Sequence, residues 1–265
     1  SFDNWYAEST YYTVWNFYLP ITEDETLYAK WTGSTLTVGF DTQGGSAPEP
    51  IFKTVTYGQE YGELATTTRS GFAFDGWWTG INGTGYQVLS STTVSTTSNQ
   101  TLYANWKKNY PVTYHTNGAT GGTSPSSQDK THDVALTLAT NSGNLVKTGY
   151  IFSGWNTEAD GSGEDYTEGS SYTLNTTLAL YAKWTAGTFT VGFDAQEGST
   201  PEPISKTVTY GQEYGELATT TRCGFAFDGW WTGINGTGDH VLSSTTVSIT
   251  SNQTLYARWI PKYLV

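Results

Sequence analysis

Apolar and polar residues follow one pattern that returns four times along the chain. Each complete copy opens with an alternating run, such as residues 36–41, which predicts a strand with one buried face. A Gly-aromatic-x-Phe-x-Gly-Trp run follows at 71–77, 149–155 and 224–230, and Leu-Tyr-Ala-x-Trp closes the copies at 27–31, 102–106, 180–184 and 255–259. Because every copy must bury the same few apolar positions, most of these residues are expected to be architectural.

The copies divide the chain into modules. Residues 1–31 form the C-terminal half of a repeat, residues 36–106, 111–184 and 189–259 form complete repeats, and residues 260–265 begin another repeat or form a tail. A module of roughly 70 residues lies near the lower limit for independent folding, so aromatic rings are expected to supply much of its buried surface. No signal peptide, anchor motif or initiating Met is visible, and the chain looks like a piece of a longer polypeptide.

The predicted secondary structure is mainly β, because strong β formers dominate every module. Residues 60–66 are the one stretch that favours a helix, and residues 82–85 predict a hairpin turn. In the pair Trp77 and Trp78, a regular strand directs one ring inward and the other outward. The residues expected in the structural core are Phe74, Trp77, Trp106, Phe152, Trp155, Trp184, Phe227, Trp230 and Trp259.

These motifs resemble the Listeria-Bacteroides repeat family, which is similar to the B repeat of the listerial invasion protein internalin. The resemblance covers essentially all of residues 36–259, with residues 2–31 as a half unit. It implies small β-grasp, ubiquitin-like modules, each with a mixed sheet and one short helix, in an elongated tandem array. It also implies stalk or adhesion repeats of large secreted or wall-attached bacterial proteins, without catalytic residues. The chain departs from the family pattern at Glu197 and Asn156, which affects loop details only.

The third complete repeat is a near copy of the first. Residues 37–106 and 190–259 differ at nine of seventy positions, which are 42, 44, 47, 52, 70, 86, 87, 96 and 105 against their partners 153 residues later. Such near-identity indicates duplication by recombination, which is more typical of long stalks than of catalytic domains.

Charge excludes some classes of partner. The formal net charge of −12 is spread evenly over the modules. A uniformly acidic surface disfavours nucleic acid and anionic membranes, because phosphate binding needs clustered Lys or Arg, and no apolar span predicts membrane insertion. Cys223 is the only cysteine, so the chain cannot form an intrachain disulfide. Bacterial surface proteins commonly lack disulfides, so this does not argue against export.

Candidate catalytic and metal-binding residues are few. His115, His132 and His240 occupy non-equivalent positions and have no carboxylate or serine at motif spacing, so neither a catalytic triad nor a metal or cofactor site is expected. The acidic run at residues 160–165 superficially resembles a calcium loop. It lacks the full ligand spacing and aligns with the hairpin turn of the first repeat, so a turn is the favoured interpretation.

Aromatic side chains outside the predicted core are the candidates for ligand binding or for contact between modules. Trp78 and Trp231 stand where other copies have Tyr6 and Asn156, and their rings could stack on sugar faces or on a neighbouring module. Packing between modules is the favoured interpretation.

The incomplete first repeat contains further candidates. Residues 11–18, which include Tyr12 and Trp15, predict a strand that is apolar on both faces and packs on more than its own module; a degenerate end cap is the alternative. Residues 1–31 lack an opening strand, and an exposed sheet edge is a template for pairing. We therefore expect this half repeat either to borrow a strand from another chain or to cover the first complete module.

Together these features favour a non-catalytic repeat segment of a large bacterial surface or secreted protein. It would act as an extended stalk and adhesion segment, and connectors of about four residues predict limited bending at each joint. The alternative is a glycan- or cell-wall-binding array attached to a secreted enzyme outside this segment. The expected location is extracellular, and the expected partners are a host or cell-wall glycan or a surface protein.

Overall fold

The computed structural model describes residues 1–262, and within them the chain is mainly β with several sheets, as the sequence predicts. The chain divides into two compact units. Unit 1 contains Ser1–Tyr110 and Thr131–Val134, and unit 2 contains Pro111–Lys130 and the residues from Ala135 onward. Residues 263–265, where the start of another repeat is predicted, lie outside the described part of the chain.

Unit 1 holds the half repeat and the first complete repeat. Its strands are β1 (Phe2–Tyr6), β2 (Tyr28–Trp31), β3 (Thr35–Asp41), β4 (Phe52–Thr56), β5 (Phe72–Trp78), β6 (Gln87–Val88) and the first part of β7 (Gln100–His115). Strand β7 runs parallel to β3 on one side and antiparallel to β5 on the other. Strands β4 and β6 pair with β3 and β5. The closing motif therefore lies at the centre of a mixed sheet.

Unit 2 repeats this plan twice. Its further strands are β8 (Gln128–Thr131), β9 (Leu136–Thr137), β10 (Tyr150–Asn156), β11 (Asp165–Tyr166), β12 (Ser171–Tyr172), β13 (Leu178–Ala186), β14 (Thr188–Asp194), β15 (Ser205–Thr209), β16 (Phe225–Trp231), β17 (His240–Val241) and β18 (Gln253–Pro261). Strand β13 runs parallel to β7 and antiparallel to β10, and β18 does the same with β14 and β16.

One tryptophan in each complete repeat is fully enclosed by the core. Trp77, Trp155 and Trp230 are at most 2% exposed. Each indole Nε1–H donates to a backbone carbonyl of the segment before its own strand, at Ala65, Ala139 and Ala218, over 2.7, 2.9 and 2.8 Å. These rings therefore join the sheet to the segment that leads into their own strand.

The closing tryptophans lie at the edge of the core. Trp106, Trp184 and Trp259 are half-buried and pack against the buried clusters. Their indole groups donate to carbonyls of the turn after the opening strand, at Thr42, Asn117 and Ala195. They close each repeat by holding its first turn against its last strand.

The expected core position of Phe74 and Phe227 is wrong, because both rings are 40% exposed. A bulge at Gly76, which has φ +102°, shifts the register of β5 against β7, so that Phe74 lies 5.4 Å from Trp77 and 5.2 Å from Trp106 between ring centres. The phenylalanine covers the two tryptophans from outside, and no further layer covers it. Phe152 occupies the same place in the second repeat and is half-buried.

The predicted helix at residues 60–66 is also wrong. Lys53 Nζ donates to the carbonyls of Tyr61 and Glu63, both over 2.5 Å, and the Tyr61 N–H donates to Thr92. Gly62 has φ +66°, which is outside the helical region. These backbone N–H and C=O groups are bonded to distant partners, so they are not available for the hydrogen bonds of a local helix. The helical turns of the described chain are the short 3-10 turns Ile81–Gly83 and Ile234–Gly236.

The half repeat forms a small antiparallel pair. Among the described residues, β1 and β2 pair with each other and with no other strand, and the predicted strand at residues 11–18 is reduced to a bridge between Tyr6 and Val14. Without an opening strand, little surface is available to order that segment into a full strand. Pairing with another chain remains a prediction.

Buried phenols make the fold sensitive to alkali. Burial raises the pKa of Tyr61, Tyr114 and Tyr214, and burial together with Glu164 raises the pKa of Tyr166 to about 12. A raised folded-state pKa contributes stability that is present below the unfolded value of about 10 and is lost as pH rises above it. We therefore expect the urea midpoint to stay constant from about pH 7 to 9 and to fall above about pH 10.

Urea titrations across this range check the prediction. The variant Tyr166→Phe should lose less stability between pH 9 and 11 than the parent, whereas Tyr12→Phe, at an 89% exposed ring, should behave like the parent. An unchanged midpoint at about pH 11 would show that these phenols ionise freely in the folded protein.

Candidate functional surfaces

The three histidines lie in separate environments. His115 stacks on Tyr181, His132 exchanges a 3.0 Å hydrogen bond with Tyr110, and His240 stacks on Trp231. Within residues 1–262, no group of three or more His, Cys, Asp or Glu side chains could hold a metal ion. The same part of the chain contains no helix long and apolar enough to cross a bilayer.

The acidic run at 160–165 forms a turn whose carboxylates bond to neighbouring groups of the protein. Asp160 Oδ1 accepts from the Ser162 N–H and hydroxyl, over 2.9 and 2.6 Å, and these bonds lower the Asp160 pKa. Asp165 bonds to Lys183 over 2.5 Å and to Asn156 Nδ2 over 2.6 Å, and the pKa of Asp165 is lowered mainly by Lys183. Asn156 is buried at the centre of the turn.

Trp78 and Trp231 are half-buried at the ends of equivalent strands. The Trp78 Nε1–H donates to the Asp75 carbonyl over 3.3 Å. The Trp231 ring stacks on His240, with 4.8 Å between ring centres and 11° between planes, and Arg258 lies 5.1 Å from the same ring. The Trp231 ring therefore already contacts two side chains of its own repeat.

The aromatic candidates of the half repeat differ in exposure. Tyr6, a further candidate for ligand or intermodule contact, is buried, with the Tyr11 ring 5.5 Å away and Lys30 Nζ 5.1 Å from its centre, so its ring packs within its own half repeat. Trp15 is half-buried, and Tyr12 is almost fully exposed. A short aromatic strand can turn its rings onto itself, which the sequence pattern does not reveal.

The joint between the second and third repeats lies within unit 2 and is bonded through backbone groups. The Gly187 N–H donates to Gly149 over 2.8 Å, and the Tyr210 N–H donates to Gly187 over 2.9 Å. The rings of Tyr150 and Tyr210 meet edge to face, with 5.5 Å between centres. A Cβ on Gly149 would lie 2.3 Å from the Tyr210 ring, so glycine is required there by space as well as by its φ of +77°.

Equivalent bonds recur in unit 1. The Asn109 N–H donates to Gly71, and the His132 N–H donates to Lys108, both over 2.8 Å. The Tyr57 N–H donates to Ser34 over 2.9 Å in the connector after the half repeat. The connectors therefore take part in the same hydrogen-bond pattern wherever two repeats meet inside one unit.

Sequence reasoning did not identify these joints. Their signal is the recurrence of the glycine before the aromatic residue, at 71, 149 and 224, and of Tyr57 and Tyr210. Both features are present in the motif, but only the tertiary structure shows that they meet at a boundary between repeats.

Comparison with known proteins identifies the repeat. The sequence profile of the Listeria-Bacteroides repeat domain matches residues 1–30, 37–105, 110–183 and 189–258. The chain belongs to the Listeria-Bacteroides repeat family. The resemblance seen in the motifs is thereby confirmed.

Similar proteins are bacterial. Two proteins of Evansella cellulosilytica named as membrane proteins, the second as Gly-rich, are 35% identical over 187 residues and 31% identical over 210 residues. These matches cover 69% and 75% of this chain but only 27% and 23% of the relatives. Internalin H of Listeria monocytogenes is 33% identical over 112 residues, which are 41% of this chain and 19% of that protein. The chain therefore spans about a quarter or less of the relatives it matches.

Among solved structures, the Bacillus anthracis TIE protein matches 89% of this chain and 54% of its own chain, at 7% identity and a TM-score of 0.25. A score this low carries no argument about fold or function. The family repeat is thus shown by sequence, and it occurs in an internalin and in proteins named as membrane proteins.

Proposed function

We propose that this chain is a non-catalytic spacer and adhesion segment of a large extracellular bacterial surface protein. The bonded joint at Gly149, Gly187 and Tyr210 is the observation that supports it most directly. A spacer must be stiff enough to hold the segments at its two ends apart. Repeats joined through backbone hydrogen bonds and a ring contact resist bending more than repeats on a free linker.

The sheet topology supports a β-grasp-like module without the expected helix. In the first and third repeats, the opening strand and the closing strand lie side by side and parallel, with an antiparallel strand on each flank. The mixed sheet closes on one core, so that each repeat can serve as a unit of length.

A surface location is supported by the family match and by Internalin H. The separation of the three histidines and the turn-bound carboxylates of residues 160–165 support a role without catalysis. A glycan or a surface protein is the kind of partner that an acidic, aromatic-rich surface segment would meet outside a bacterial cell.

Small-angle scattering on the full chain tests the spacer role. We expect an elongated particle, and we expect eight Gly/Ser residues inserted between Gly187 and Thr188 to broaden its distance distribution. The same insertion in the turn at residues 160–163 is the matched control, because it lengthens a loop without entering a joint. A compact globule for the parent, or an unchanged distribution after insertion at the joint, would contradict the proposal.

A further inference from the structure

A polar groove lies on the third repeat between the turn after the opening strand, the 3-10 turn and the closing motif. Its volume is about 650 Å³. Its principal lining residues are Asp194, Gln196, Glu197, Arg222, Arg258 and Trp259. The Trp259 indole is anchored below it by its bond to the Ala195 carbonyl over 2.7 Å. Carboxylate, amide and guanidinium groups thus converge on a surface with an aromatic base.

Arg222 is held in place by its own repeat. Its guanidinium lies 4.0 Å from the centre of the Phe225 ring, and its Nη1 donates to the Gln196 carbonyl over 3.4 Å. Its Nη2 donates to the Glu197 carboxylate, and that glutamate side chain is 79% exposed. The fold therefore fixes the position of the Arg222 guanidinium, and the exposed Glu197 carboxylate binds its Nη2.

Glu197 adopts an unfavourable backbone conformation to reach this position. Its φ is +70°, whereas the equivalent Gly44 of the first repeat has φ +86°. Left-handed φ favours glycine, and a bulky residue held there is a reason to look for function. In the first repeat, Arg69 makes the same contacts with Phe72 and the Gln43 carbonyl, and Gly44 offers it no carboxylate.

Two of the nine differences between the near copies change side chains that line this groove. Gly44 and Asn105 become Glu197 and Arg258, both of which line it. Gln87 becomes His240, which stacks on Trp231, and Arg258 lies over the same ring. Copies that share sixty-one of seventy residues therefore differ in one carboxylate and one guanidinium group at this surface, with no change in its net charge.

The second repeat has a groove of about 260 Å³ in the same place. Lys147 and Lys183 replace the two arginines, and Lys147 Nζ lies 4.7 Å from the Tyr150 ring just as Arg222 lies on Phe225. The chain has only twelve Lys and Arg residues against twenty-four Asp and Glu. Two basic residues at equivalent sites in both repeats are therefore a feature of the groove. The second of them has a carboxylate partner in each repeat, because Arg258 lies 3.4 Å from Asp228 and Lys183 lies 2.5 Å from Asp165.

We propose that this groove binds the carboxylate of an acidic sugar, and that Glu197 occupies the carboxylate position in the third repeat as an internal competitor. The two cations of the groove bind the carboxylate, while the Gln196 and Asp194 groups pair with hydroxyls and the indole supports the ring. The net charge of −12 repels dense polyanions, so a short uronate segment fits better than a highly charged polymer. This inference goes beyond the spacer role and is independent of it.

The test follows the indole N–H signals of Trp259 and Trp184 by NMR while the full chain is titrated with a trimer of galacturonic acid. Each signal reports one groove. The substitution Glu197→Gly should lower the Kd reported by Trp259 about five-fold, the factor that corresponds to an exposed ion pair of ~1 kcal/mol. The Trp184 signal should respond with the same Kd in both proteins.

Matched variants separate charge from folding. Glu197→Gly and Arg258→Asn both install residues that the first repeat already has, so the fold has a precedent for each. Arg258→Asn in the Glu197→Gly background should raise the Kd at Trp259 again, while Lys107→Gln, a charge loss on β7 of the first repeat, should leave it unchanged. A melting curve for each variant confirms that the third repeat is folded.

Three outcomes would overturn the proposal. One is an equal response to a neutral galactose trimer, which would show that the groove does not recognise the carboxylate. Another is an unchanged Kd at Trp259 after Glu197→Gly, which would show that Glu197 does not compete. The last is equal binding of an acetylated dipeptide with a free carboxylate, which would assign the groove to peptides.

Discussion

Replacing Trp155 with alanine is expected to unfold the second repeat. The ring is 0% exposed, lies 4.8 Å from the Tyr114 ring and 5.2 Å from the Phe152 ring, and its Nε1–H bonds the Ala139 carbonyl. Truncation of a buried Trp to Ala costs about 3 to 5 kcal/mol, and here it also removes the donor of the partly buried Ala139 carbonyl. A module of roughly 70 residues has a free energy of unfolding of only about 4 to 10 kcal/mol.

Chemical denaturation followed by NMR measures this effect, because the indole N–H signals of individual tryptophans report the unfolding of each repeat. Trp31→Ala is the matched control, because that ring is 71% exposed and its removal should change stability by no more than about 0.5 kcal/mol. Trp184→Ala should fall between the two, since its half-buried ring still bonds Asn117. If Trp155→Ala and Trp31→Ala lose the same free energy of unfolding, the buried Trp155 ring does not stabilise the core of the second repeat.

Replacing Gly149 with alanine is expected to open the joint between the second and third repeats. Its φ of +77° costs an alanine about 1 to 2 kcal/mol, and its Cβ would lie 2.3 Å from the Tyr210 ring. The ring must then move, which removes the contact with Tyr150 and weakens the bond from the Tyr210 N–H to Gly187. Both the stability of the joint and the orientation of the repeats should change.

The chain offers a close control for this substitution. Gly224 has φ +80°, but a Cβ there would meet nothing within 4 Å. Gly224→Ala therefore carries the same backbone cost without the ring clash, and the difference between the variants measures the joint. Spin labels at Thr173→Cys and Ser244→Cys, in a Cys223→Ser background, should give a broader distance distribution for Gly149→Ala only. Equal broadening in both variants would assign the effect to backbone strain.

Sequence alone determined the period, the family and the mainly β character of this protein. Those properties depend on local information, because alternation, turn residues and the spacing of tryptophans repeat within each module. The recurrence of Trp77, Trp155 and Trp230 also pointed to the positions that the fold encloses most completely.

Tertiary structure decided everything that depends on distant partners. Residues 60–66 form no helix because Lys53 and Thr92 take their backbone groups, and Phe74 remains exposed because a bulge places it outside two tryptophans. Lys130 is fully buried where the sister repeats have Val55 and Val208, and its Nζ bonds Asn175 over 3.0 Å. Periodicity specifies which face a residue occupies, but hydrogen bonds across the sheet and between repeats specify what it meets there.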